Sequence, residues 1–233
     1  MAPIPATSRR LLYGRRRGRK LRPGRERIVA ELLPRLEIDL PADGRLDPRD
    51  LFHGPVSEVW IEVGFGAGEH LVAQARAHPE IGMIGCEPFI QGVASLLSAV
   101  ATHRLGNIRV LTDDARPLLD ALPDASVGRL FALFPDPWPK KRHHKRRFVN
   151  SQTLDVCSRI MRDGAEMRLA TDLAEHCRWI LDQVRRHGSF VWLARTPADW
   201  RVRPADWPQT RYEAKAIRQG RHPMYLRFGR ISR

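Results

Sequence analysis

The sequence predicts an α/β fold: a mixed seven-stranded sheet, parallel over most of its width, with helices on both faces. Two observations predict it. Short apolar runs alternate with segments of helical spacing along most of the chain, the pattern of right-handed βαβ crossovers. The last two strand-like runs, 190–194 and 224–228, close the sheet as an antiparallel pair. A length of 233 residues suits one such domain plus a tail, and no internal repeat or interdomain linker divides it.

Residues 1–24 lack hydrophobic periodicity and form a basic arm, expected to be disordered before a partner binds; residues 25–233 form the single domain. Ile28, Val29, Leu32, Leu33 and Leu36 recur at helical spacing, which predicts a helix over 25–36 leading into the core. A strand at 59–65 runs into a glycine turn that opens a helix at 67–77. The strand at 83–86 precedes a helix at 89–104, and the strand at 108–111 ends before Asp113 and Asp114 and a short helix near Leu118. An apolar strand at 129–134 meets a proline-rich turn, followed by a helix from about 147 to 161, a strand at 167–170 and a helix at 173–187.

Lys and Arg number 40 against 26 Asp and Glu, a net charge of +14. The excess is concentrated. Residues 9–22 hold eight cations and no acid, and residues 140–147 hold six and no acid, so the rest of the chain is neutral. A neutral globule with two cationic patches suits a phosphate-rich partner touched at two places. Cys86, Cys157 and Cys177 have no metal-ligand or disulfide-framework spacing, which points to a reducing, cytoplasmic setting with no metal. No apolar run reaches the roughly 20 residues that span a bilayer, and the N-terminus lacks a signal-peptide core, so no membrane partner is expected. An Arg-rich start also fits an organellar transit peptide.

Ligands of open α/β sheets bind beyond the carboxyl ends of the strands. The first such loop reads Glu62-Val63-Gly64-Phe65-Gly66-Ala67-Gly68. Its glycines permit a tight turn, but Glu69 stands where the dinucleotide pattern needs a third glycine. The GxGxG spacing behind an acid resembles the first motif of S-adenosylmethionine-dependent methyltransferases. Glu87, 21 residues after Gly66, can accept from both ribose hydroxyls. Asp114 serves equally well as an acceptor for an adenine amino group or as a helix N-cap. Phe134-Pro135-Asp136-Pro137-Trp138-Pro139-Lys140 then places one carboxylate, Asp136, in a stiff turn beside the second cationic run.

On Tyr13-Gly14-Arg15-Arg16-Arg17-Gly18-Arg19, the motif from Phe134 to Lys140, and Thr210-Arg211-Tyr212-Glu213, the chain resembles the bacterial tRNA (guanine-N7)-methyltransferases over nearly its whole length. The middle motif is the specific one; the glycine turn is generic. The resemblance implies a Rossmann-like class I methyltransferase fold, S-adenosyl-L-methionine as donor, and N7 of a guanine in the tRNA variable loop as acceptor. It further implies that Glu62, Glu87, Asp114 and Asp136, with the turn of Gly64, Gly66 and Gly68, lie at the cofactor, and that Asp136 is the catalytic position. Lys140, Asp172, Thr210, Arg211, Tyr212 and Glu213 would meet the substrate. The run Arg142, His143, His144, Lys145, Arg146 and Arg147 is similar to the family's RNA-contacting segment. A comparable arm in the family favours RNA binding over transit for residues 1–24, and the enzyme is expected as a monomer or homodimer.

Guanine N7 carries an in-plane lone pair and no proton, so its methylation needs no general base. Asp136 is therefore expected to orient the base and oppose the positive charge that grows on it. Asp172 fits either that site or the cap of the helix at 173, and Trp138 fits base stacking or packing equally well. His143 and His144, among cations, are expected to stay neutral. Trp200 and Trp207 are expected to anchor a loop against the body.

Overall fold

The computed structural model describes residue 16, residues 18–41 and residues 44–232; most of the expected arm, and with it Tyr13, Gly14, Arg15 and Arg17, lies outside the described residues. In chain order the strands are β1 Glu58–Val63, β2 Ile81–Cys86, β3 Ile108–Leu111, β4 Val127–Leu133, β5 Met161–Thr171, β6 Phe190–Trp192 and β7 Met224–Arg230. The helices are α1 Pro23–Leu36, α2 Glu69–Ala77, α3 Ile90–His103, α4 Ala115–Ala121, α5 Ser151–Ile160, α6 Ala174–His187, α7 Ala198–Arg201 and α8 Arg211–Arg218, with 3-10 turns at Pro48–Leu51 and Lys141–Arg146.

The seven strands form one sheet in the order β3-β2-β1-β4-β5-β7-β6. The first five are parallel, and β7 runs antiparallel to both β5 and β6. Side chains on a strand alternate between faces, and here each face feeds its own core. Val59 and Ile61 of β1, with Leu130 and Ala132 of β4, pack with Leu118 of α4, Leu154 of α5 and Ile180 of α6. Trp60 of β1 and Phe131 of β4 pack on the other face with Leu71 of α2 and Leu96 and Leu97 of α3. The apolar stripe of α1, Ile28, Val29, Leu32, Leu33 and Leu36, covers this second core.

Several elements depart from the sequence reading, among them α7, which it does not predict, β1, which ends at Val63 and not at 65, and β2, which begins at Ile81 and not at 83. α5 begins at Ser151 because Asn150 caps it, its side chain accepting the Thr153 N–H at 3.0 Å; residues 147–149 are a turn. β5 extends beyond the expected 167–170 in both directions, and α8 is a helix that the apolar spacing does not predict. Among the described residues no helix is long and apolar enough to cross a membrane.

Candidate active site

The sheet order reverses between β1 and β4, the place where such folds form a crevice. The loops leaving β1, β2, β3 and β4 line one cleft there of about 730 Å3, with Arg211, Tyr212 and Lys215 of α8 on its far side. That volume suits a nucleoside-sized ligand.

The β1 loop turns through Gly64 at φ 73°, Gly66 at φ 59° and Gly68 at φ 85°, left-handed conformations that glycine adopts without strain. A side chain at Gly64 would meet nothing within 4 Å, so the backbone lies bare there. Behind the turn, Gly92 of α3 packs so closely on the Gly66 carbonyl oxygen that any Cβ at 92 would overlap it. Nothing in the apolar periodicity of α3 marks Gly92 for this role.

Glu87 is buried at the end of β2. Its Oε2 accepts the Gly66 N–H and its Oε1 the Phe89 N–H, both at 2.9 Å, which leaves further lone pairs for a ligand. Burial pushes its carboxyl above the usual range against the lowering effect of those two bonds, and the charges of Asp136 and Glu62 push it further. Asp114 fills both roles left open by spacing. It caps α4 by accepting the Arg116 N–H at 2.9 Å, it lines the cleft, and it pairs with the Arg116 guanidinium at 2.7 Å. Glu62 does not line the cleft; its Oε2 lies 2.8 Å from Nδ1 of buried His70, tying β1 to α2.

Asp136 stands exposed on the cleft rim, and no described residue hydrogen-bonds or ion-pairs with its carboxylate. Partial desolvation holds that carboxyl above the usual range. The turn carrying it is strained on both sides: Phe134 and Trp138 sit at φ 53° and 42°. Bulky side chains enter that region at a cost on the order of 1 kcal/mol or more each, and only where the surroundings enforce it. Pro135 and Pro137 stiffen the turn, and the Phe134 N–H donates to the Ala170 carbonyl at 2.8 Å.

The substrate candidates divide. Arg211 and Tyr212 line the cleft, the Tyr212 ring standing against Gly66 and Arg211 pairing with Glu69 at 2.5 Å. Thr210 and Glu213 instead build the start of α8. Thr210 Oγ1 accepts the Glu213 N–H at 3.2 Å, and buried Glu213 accepts from the Tyr225 hydroxyl at 2.6 Å. Lys140 is exposed beyond the Asp136 turn, and Asp172 pairs with Arg221 at 2.7 Å; neither lines the cleft. Asp172 is not the cap of α6, since Thr171 Oγ1 takes the Leu173 N–H.

Of the cationic run, Lys141, Arg142 and Lys145 are exposed on the 3-10 turn. Desolvation, then the cations around it, hold the His143 imidazole below its usual range, and its ring meets the edge of Trp138 at 5.8 Å. Arg146 lies 5.0 Å over Trp138, so that ring packs against the run while also lining the cleft. His144 packs on Trp179 at 5.1 Å. Arg147 corrects the sequence expectation: it is 0% exposed and has no surface to offer RNA. Trp207 is buried between Tyr225 and His70, and Trp200 packs on the larger core, anchoring their loop as expected.

Residues 57–226 match a family described as a putative methyltransferase. The tRNA (guanine-N(7)-)-methyltransferase of Rhodospirillum rubrum is 50% identical over 234 residues, spanning 99% of this chain and 92% of that protein. The enzyme of the same description from Chelativorans sp. is 47% identical, spanning 97% of this chain and 98% of its own. Among solved structures, the 16S rRNA methyltransferase KamB superposes with a TM-score of 0.52 at 16% identity, covering 79% of this chain and 91% of that one. The precorrin-6y C5,15-methyltransferase of Geobacter metallireducens gives 0.51 at 14% identity, over 79% and 85%. At such identities the likeness concerns the fold, which is the Rossmann-like class I methyltransferase fold.

Proposed function

The chain belongs to the tRNA (guanine-N(7)-)-methyltransferase family, and on that premise we propose that it methylates N7 of a guanine in the tRNA variable loop, with S-adenosyl-L-methionine as donor. The observation that carries this reading is the place of Asp136: a carboxylate without a protein partner among the described residues, on the rim of a nucleoside-sized cleft and next to exposed Lys140, Lys141 and Arg142.

The cleft suits this donor. Glu87 and Asp136 set carboxylates in the cleft that can oppose a sulfonium, while the bare backbone at Gly64 allows close approach. Glu87 would accept from the ribose hydroxyls, Asp114 would accept from the adenine amino group, and the glycine turn of Gly64 and Gly66 would let the donor approach the backbone. When bound, the donor supplies a methyl group made electrophilic by its positive sulfur.

The protein has no proton to remove, because guanine N7 attacks with a free lone pair. Asp136 accepts from the N1–H and exocyclic amine of the guanine, aligns N7, and opposes the positive charge arising on the purine. Exposed cations of the 3-10 turn hold phosphates and carry no base information. A tRNA substrate supports the cytoplasmic setting expected from the cysteine pattern. The test is incubation with unmodified tRNA and methyl-labelled donor, then digestion: label in 7-methylguanosine from the variable loop is expected, and label in any other nucleoside overturns the reading.

A further inference from the structure

Arg147 is the largest of the fully buried side chains among the described residues, yet it is cationic and adjoins an exposed cationic run. Its guanidinium makes four hydrogen bonds. Nε donates to the Pro137 carbonyl at 2.8 Å, Nη2 reaches the Trp138 carbonyl at 3.5 Å, and Nη1 and Nη2 fork onto Glu175 at 3.1 and 2.8 Å. The plane lies 4.7 Å from the Trp179 ring. Glu175 belongs to the first turn of α6, is 56% exposed, and is held below the usual carboxylate range by Arg147. One side chain thus joins the two residues that follow Asp136 to a helix anchored in the core.

We infer that Arg147 and Glu175 form a positioning clamp that holds the Asp136 turn in its strained, reactive shape. The clamp rests on the functional reading above for its importance to turnover, but its effect on the turn is independent of that reading. Its geometry needs a planar fork; a point charge on a flexible stem cannot serve carbonyls and carboxylate together.

Arg147→Lys keeps the charge and removes the fork. Glu175→Ala removes the outer anchor from an exposed helical site where alanine is well accommodated, so it tests the clamp even if Arg147→Lys fails to fold. In both variants hydrogen exchange at the amides of Phe134 and His143, which bound the turn and donate to the Ala170 and Lys140 carbonyls at 2.8 and 2.7 Å, is expected to accelerate at least tenfold while the amides of β1 and β2 keep their protection. This is read without substrate and decides the clamp whether or not the wild-type protein methylates tRNA. Turnover at saturating tRNA is expected to fall about 10- to 100-fold with KM for tRNA changed less than threefold, and the double variant should be no worse than the worse single one. Unchanged exchange in Glu175→Ala would overturn the proposal. So would an Arg147→Lys protein with intact turnover, or one whose defect is a raised KM and a shallower salt dependence, since that is the signature of a phosphate contact.

Discussion

Asp136 is a charged group that the protein partly desolvates without giving it a partner among the described residues, and this sets two opposed expectations. In activity, Asp136→Asn keeps the shape and removes the charge; loss of one such preorganised group lowers kcat by about 10²–10³-fold, measured as methyl transfer at saturating tRNA. In stability the sign is reversed. Desolvation raises the folded carboxyl above its unfolded value, so the folded state binds the proton more tightly and stability declines as pH rises through that window. Asp136→Asn is therefore expected to melt no lower than the parent at neutral pH, with any advantage vanishing as pH falls and the parent carboxyl is protonated. Parent turnover should show an acid limb above the range of an ordinary aspartate, and that limb should disappear in the Asn variant. Thermal melts and kcat across pH 3–8 check both; an Asn variant markedly less stable at pH 7 would show that the carboxylate makes a structural contact.

The cofactor turn depends on two elements meeting backbone to backbone. Gly68 starts α2, and Gly92 lets α3 approach the Gly66 carbonyl. Gly92→Ala must push α3 or the turn aside, an overpacking cost of about 1–3 kcal/mol. Because the Gly66 N–H is also a Glu87 partner, donor binding should weaken with it. Calorimetric titration with S-adenosyl-L-methionine is expected to show at least a tenfold loss, and unchanged affinity would mean that the helix yields instead of the turn. The strand ends are legible in the sequence because short apolar runs and glycine punctuation are local signals, which is why Glu87 can be assigned to the cleft from spacing, whereas spacing leaves Asp114 between ligand and cap and the structure gives it both roles. α8 is not legible because it is short and cationic, and its Thr210-x-x-Glu213 start resembles a substrate motif when half of it is capping chemistry. Arg147 misleads for a related reason. It closes a run of like charges in the sequence, and only the tertiary arrangement of Pro137, Trp138 and Glu175 draws it inside.

At the scale of the molecule, charge is divided by function. The cleft walls mix acids, Glu87 and Asp136 among them, with cations such as Arg116, Arg211 and Lys215, whereas the exposed Lys140, Lys141, Arg142 and Lys145 form an acid-free run outside it, so positive charge is concentrated where tRNA phosphates would lie. Such an arrangement makes tRNA affinity salt-dependent while donor affinity is less so. Replacing Lys141, Arg142 and Lys145 by alanine should lower the magnitude of the log-affinity against log-salt slope by about 0.7–0.9 for each phosphate that is no longer neutralised, raise KM for tRNA, and leave kcat and donor affinity nearly unchanged. Deleting residues 1–22, which hold the other cationic cluster, should likewise flatten the salt dependence, raise KM for tRNA and leave the methylated nucleotide the same, while donor affinity also registers the loss of Arg16, which pairs with Asp113 of the cleft at 2.6 Å. The two changes touch separate phosphates and should add on the logarithmic scale. A truncated protein that methylates a different guanine would mean that the arm selects the base, and a triple variant with an unchanged slope would place the phosphate path elsewhere on the surface.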